Sequence, residues 1–260
     1  MKEFDRYSSA FAYGLVESGY QPGDKLLIWM DQNNSSEILV STMGASKAGV
    51  TVVTFSEKDS VDALHETLKD SNAKGLVFSP STNVDENGTT RAELVNKLMP
   101  ELDSMNPGQG LDLSAYPHLR QVIQTGHSNI RGVMKYKDSL VYAAASLSSF
   151  GLPQNDPSDV LYECYNNGRQ AASHSNEAIA SKSSELWQSY FSESSGDVPD
   201  GTMFNYEVAS GQTCKPVFMS LDLETPLGFS CFLANTSNHR KVFIPSTFNM
   251  SKIIKSIQAQ

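Results

Sequence analysis

Between Asp156 and His174 the chain reads DPSDVLYECYNNGRQAASH, and residue types and spacing there could serve phosphate chemistry. Val160 to Tyr162 can be the end of a buried strand. Tyr165-Asn166-Asn167-Gly168 is turn chemistry, because Asn and Gly tolerate positive φ. Ala171 onward can open a helix. A strand, a glycine-containing turn and a helix start form a geometry that holds phosphate on backbone N–H groups. A loop of that kind adds several glycines, hydroxyls and a lysine. Here Gly168 is the only glycine between Val160 and Ala172, and no lysine occurs from Pro157 to Ser181. On these residues alone, an ordinary strand–turn–helix link is the stronger reading.

Other chemistries find less support. The five histidines are His65, His118, His127, His174 and His239, and no two stand four apart as a metal-binding helix would require. His174 is near enough to the turn to touch an anion, but a surface or helix-cap role suits it better. No G-x-S-x-G elbow, no G-x-x-x-x-G-K-S/T and no G-x-G-x-x-G after a strand occur. The three cysteines, Cys164, Cys214 and Cys231, form no C-x-x-C, so neither a zinc site nor a disulfide framework is expected.

The elements that must position the stretch follow from hydrophobic pattern. Phe4, Tyr7, Phe11, Leu15 and Val16 keep helical spacing, ended by Gly19 and Pro22-Gly23. Lys25 to Met30 is a short apolar run that reads as a buried strand. Asn33 to Ser36 can cap a helix over Glu37 to Lys47. Val50 to Phe55 is β-branched and predicts a second strand. Ser60 caps a helix over Val61 to Asp70, and Gly75 to Phe78 is a third strand. Further on, the pattern predicts helices at Arg91–Leu102, Tyr136–Ser148 and Ala171–Phe191, and a strand at Leu119–Gln124. A strand at Pro216–Leu223, a helix at Pro226–Ala234, a strand at Lys241–Ile244 and a helix at Ser251–Ile257 complete the alternation. Ser192 to Gly201 reads as a flexible polar loop. This order implies an α/β fold, a mainly parallel sheet flanked by helices. Two halves are expected: residues 1–155, a first βα half, and 156–260, which holds the phosphate-loop-like stretch.

Composition narrows the class. The 260 residues carry a formal net charge of −9, which argues against a general nucleic-acid surface. No run of 18 apolar residues exists, so no transmembrane segment is expected. The 19% charged fraction is below the ~25% typical of soluble domains, compatible with burial in a larger assembly.

Three longer segments carry a resemblance. FDRYSSAFAYGLVESGYQPGDKLLIWMDQNNSSEILVSTMGASKAGVTVVTFS gives an amphipathic helix, G-x-x-P-G-D before a strand, and a helix ending K-A-G before the next strand. LKDSNAKGLVFSP and LMPELDSMNPGQGLDLSAYPHLRQVI continue the order. In this order the chain resembles the adenylate-forming superfamily of acyl-CoA synthetases, in layout the mitochondrial medium-chain type. The resemblance implies a phosphate loop of the form T-S-G-T-T-G-x-P-K-G over Glu163 to Ala172. Only Gly168 then matches. Glu163, Cys164, Tyr165, Asn166 and Asn167 replace hydroxyls and glycines, and Ala171 stands at the lysine position. Glu163 would set a carboxylate where the family places a triphosphate. The family's adenine, metal and ribose motifs and its mobile catalytic domain would fall beyond Gln260. The resemblance therefore implies a truncated, degenerate relative with no catalytic residue, cofactor or metal. Its expected role is a non-catalytic structural or accessory subunit, partnered by other subunits of a large mitochondrial assembly such as the respiratory chain or ATP synthase. The alternatives are an acyl- or CoA-binding sensor, with pocket-lining residues near Phe218 to Phe232, and half of a split ligase.

Overall fold

A computed structural model describes residues 2–56, 60–84, 88–142, 151–191, 217–219, 221–238 and 242–244. The expected loop at 192–201 and helix at 251–257 lie outside them, as does Cys214.

The first third alternates as its pattern predicts. Helix α1 (Lys2–Glu17) is followed by strand β1 (Lys25–Trp29), α2 (Ser35–Lys47), β2 (Thr51–Phe55), α3 (Val61–Ser71) and β3 (Gly75–Phe78). Ser60 caps α3 by accepting from the Ala63 N–H. Next come α4 (Arg91–Leu98), β4 (Gln121–Gln124) and a two-residue strand, β5 (Met134–Lys135), which the pattern did not announce. Strands β6 (Val160–Asn166) and β7 (Arg169–Ser175) precede α5 (Asn176–Leu186). Strand β8 (Val217–Phe218), helix α6 (Pro226–Ser237) and strand β9 (Val242–Phe243) close the described order.

Seven strands form one sheet in the order β5-β4-β3-β1-β2-β6-β7. Every pair is parallel except β6–β7. The apolar run at β1 is apolar throughout because both faces are covered. Leu26, Ile28 and Met30 enter one core with α1, α2, α5 and α6, whereas Leu27 and Trp29 enter the other with α3 and α4. Alternate residues of one strand thus supply two cores, as a period of two requires.

Four sequence expectations are corrected. The helix expected from Arg91 to Leu102 stops at Leu98, and a 3-10 turn covers Pro100–Ser104. Pro100 has no N–H to donate and holds Met99 out of the helical region, at φ −132 and ψ 62. In place of the helix at Tyr136–Ser148 a 3-10 turn runs over Tyr136–Ser139 and Leu140 is extended; residues 143–148 are outside the described set. The third correction is central to function. Residues 171–175 are strand and not helix, so the helix expected from Ala171 begins at Asn176. Likewise β6 does not end near Tyr162 but runs to Asn166.

Candidate functional site: a closed hairpin and a filled switch point

The phosphate-loop-like stretch is a β-hairpin. Its pairs run from Val160 with Ser175 through Glu163 with Ser173 and Cys164 with Ala172 to Asn166 with Arg169. Register shifts leave Leu161 and Ala171 without partners in the ladder, and Asn167 and Gly168 form the turn. Both have positive φ, 48° and 69°, the signature of a type I′ turn, whose twist matches that of the strands it joins. Asn-Gly is the favoured dipeptide there, so the local sequence selects the turn. The far end is closed as firmly: Asn176 N–H donates to Asp159 O at 2.9 Å, Glu177 N–H to Pro157 O at 2.8 Å, and Ser175 caps α5.

The individual side chains serve the sheet. Glu163 lies beside Val53 of β2. Its carboxylate accepts from Lys25 Nζ at 2.7 Å and from the Tyr165 hydroxyl at 3.3 Å. The expected bare carboxylate at a phosphate position is therefore a compensated one, directed to the start of β1 and away from the hairpin tip. Burial first, then the Glu163 and Asp70 carboxylates, pushes the Tyr165 phenol above its usual range. It stays neutral and can donate. Cys164 accepts from Thr54 Oγ1 at 3.7 Å, and burial raises its thiol, so it is no activated nucleophile. Asn166 and Ala171 are exposed, and Ala171 lies on β7, outermost among the described strands. His174 is paired across from Tyr162.

Gly168 has a second duty. The tip packs on α3 so closely that a Cβ at Gly168 would collide with the Cβ of Glu66. Gly168→Val would combine that collision with a left-handed φ that a β-branched residue does not adopt. We expect a loss of ~2–3 kcal/mol, read as a lower urea midpoint. A loss below ~0.5 kcal/mol would mean that the tip is not held against α3.

Sequence reasoning missed a polar cluster at the other notable place in the sheet. Chain order reverses at β1, which has β2 on one side and β3 on the other. Open α/β sheets bind ligands outside the carboxyl ends of strands at such a reversal. Here Arg91, the first residue of α4 and 2% exposed, fills it. Its guanidinium donates to Trp29 O at 2.8 Å and Ser79 Oγ at 3.0 Å and lies 4.7 Å from the Trp29 ring centroid. Asp31 nearby accepts from Thr82 Oγ1 at 2.5 Å and Asn33 N–H at 3.0 Å. Glu224, only 1% exposed, accepts from Met30 N–H at 2.5 Å. The signal for Arg91 was present: Thr90 and Glu93 form a capping box, which puts Arg91 at the first helical position. Among the described residues no group of three or more His, Cys, Asp or Glu is placed to hold a metal, and no helix is long and apolar enough to cross a membrane.

Known proteins share this frame. A protein named as an acyl-CoA synthetase, YngI, from Bacillus subtilis (strain 168) is 32% identical over 141 residues, 54% of this chain and 24% of that protein. The coronafacic acid ligase of Pectobacterium brasiliense superposes with a TM-score of 0.64 at 11% identity, over 98% of this chain and 41% of that one. The fatty acyl CoA synthetase of Mycobacterium tuberculosis gives 0.62 at 16% identity, over 98% and 41%. The N-terminal domain of FACL13 from the same organism gives 0.61 at 14%, over 98% and 52%. The chain thus spans about half or less of the length of these proteins. A family model described as AMP-binding enzyme matches residues 1–166, ending at the last residue of β6. With most of its length inside that match, the chain belongs to the AMP-binding enzyme family.

Proposed function

We propose that this protein does not adenylate a carboxylate and acts as a structural or accessory subunit of a larger protein assembly. One observation carries the reading: the stretch laid on the family's phosphate loop is a β-hairpin, with a two-residue turn at Asn167-Gly168 and one register shift, at Ala171, within Glu163 to Ala172. Backbone groups of β6 are spent on β2 and β7, and no cation stands at Ala171. A second feature suits a partner. Among the described residues strand β7 is the sheet's edge, and residues 169–173 are exposed; an open edge is a template for another chain. By contrast, only Tyr142, Val160 and Leu227 are large apolar side chains strongly exposed among the described residues. An interface built on β7 would therefore rest on backbone pairing more than on apolar area.

The acyl-sensor alternative gains nothing from α6. Phe229 and Phe232 are core residues packed against Tyr162 and Phe4, and the side chain of Phe218 is outside the described set. The mitochondrial compartment, and a respiratory-chain or ATP synthase assembly within it, extend the proposal on resemblance to the medium-chain synthetase layout. A tagged copy run on blue-native gels after organelle fractionation tests all of this. We expect a mitochondrial particle far above 28.4 kDa, and depletion should disturb that particle without removing a ligase activity. A stable monomer that joins a fatty acid to CoA would overturn the proposal.

A further inference from the structure

At the amino-terminal end of the sheet, opposite the switch point, three cations stand in one row. Leu26, Gly75 and Gln121 are register partners across β1, β3 and β4. The residues one position earlier, Lys25, Lys74 and Arg120, therefore align on three adjacent strand starts. The backbone fixes them there. Lys74 N–H donates to Lys25 O at 2.8 Å, and the Arg120 and Gln121 N–H groups donate to Lys74 O at 2.7 and 3.2 Å. Together with Gly23, Asp24, Ser71, Asn72 and His118 they line a 320 Å³ pocket.

Aligned like charges on neighbouring strands repel, and the chain as a whole is acidic, at −9. The carboxylates present answer only part of the row. Asp24 Oδ2 accepts from Lys74 Nζ at 2.5 Å and from Gln21 N–H at 2.6 Å. Glu163 binds Lys25 at 2.7 Å. Arg120 makes no side-chain hydrogen bond or ion pair among the described residues, so its five donors are available. Each lysine also keeps two donors beyond its one contact. Counting both carboxylates, the row retains a net positive charge. The carboxyl end of α3 borders the pocket, but its dipole amounts to roughly half an elementary charge, less than that excess.

We infer that this pocket binds a small anion carrying two or more phosphate groups. Spacing sets the size. Neighbouring strands are ~4.8 Å apart, so β1 to β4 spans roughly 10 Å, more than one phosphate group can bridge and a length a diphosphate suits. The volume lies at the lower end of ligand pockets, about 300–1,000 Å³. No hairpin residue lines the pocket, and Glu163 reaches it only through Lys25, so a phosphate site here does not depend on the proposed function.

Calorimetric titration of the full chain with sodium pyrophosphate, metal-free and at constant ionic strength, is the test. We expect saturable binding below ~1 mM, with orthophosphate and sulfate at least tenfold weaker. Arg120→Ala should weaken pyrophosphate binding tenfold or more. Its side chain is exposed, so the variant should keep the parent's circular dichroism. Lys97→Ala, an exposed cation on α4, should bind as the parent does. Absence of saturation, equal affinity for sulfate, or unchanged binding by Arg120→Ala would overturn the assignment.

Discussion

Mg-ATP titrated into the Arg120→Ala chain, in which the anion pocket is weakened, is expected to give no saturable signal below ~1 mM, about −4 kcal/mol of binding. The reason is first geometric. A phosphate cradle needs several backbone N–H groups turned toward one point, and within Glu163 to Ala172 the hairpin ladder passes over only Asn167, Gly168 and, at a register shift, Ala171. Asn167 and Gly168 form the tight turn, whose tip packs on Glu66, and Ala171 stands apart from them on β7. The electrostatic obstacle is smaller than the residue types suggest, because Lys25 already answers Glu163. What is missing is a cation at Ala171. Ala171→Lys alone should not create acyl-dependent pyrophosphate exchange, since a lysine on an edge strand does not reopen a two-residue turn. Saturable Mg-ATP binding in that background would show the geometric argument wrong, and exchange activity in the Ala171→Lys chain would sink the non-adenylating reading.

Much of the frame was legible. Strand β3 has the bounds its apolar run gave, and α3 begins at the cap that Ser60 announces. These elements are long or sharply bounded, and their burial agrees with their pattern. The hairpin was misread for a physical reason. Ala171-Ala172 favours helix in isolation, but strand β6 offers a ladder, and the Asn167-Gly168 turn brings residues 169–175 onto it at no steric cost. Tertiary pairing outweighs propensity there. The Asn-Gly dipeptide was the available signal, and a phosphate-loop template drew it into a strand–turn–helix. The short strand β5 has only Met134 and Lys135, too few for any periodicity. The cation row was hidden because Lys25, Lys74 and Arg120 are far apart in sequence and meet only through strand register. Arg91 was hidden differently: a charged residue at a helix start reads as solvated, and only the sheet's reversal at β1 places it under α4.

Arg91→Ala is expected to be the most damaging single change considered, at ~3–5 kcal/mol. Three losses contribute. Two hydrogen bonds from a charged donor, to Trp29 O and Ser79 Oγ, are each worth ~1.5–3 kcal/mol net. The stack on the Trp29 ring adds ~1–2 kcal/mol where water is excluded. A cavity is left between α4 and the ends of β1 and β3. These overlap, because one side chain makes them all, so their sum is an upper bound. With a denaturant slope near 3 kcal/mol/M, about the upper end for urea, the midpoint should fall by ~1 M or more. Arg91→Lys should recover only part, since an ammonium cannot both fork to two oxygens and stack flat on an indole. A midpoint within ~0.3 M of the parent for Arg91→Ala, or full recovery by lysine, would mean that the switch point is stabilised by apolar packing of Trp29 and Phe78 alone and that the buried guanidinium is dispensable to it.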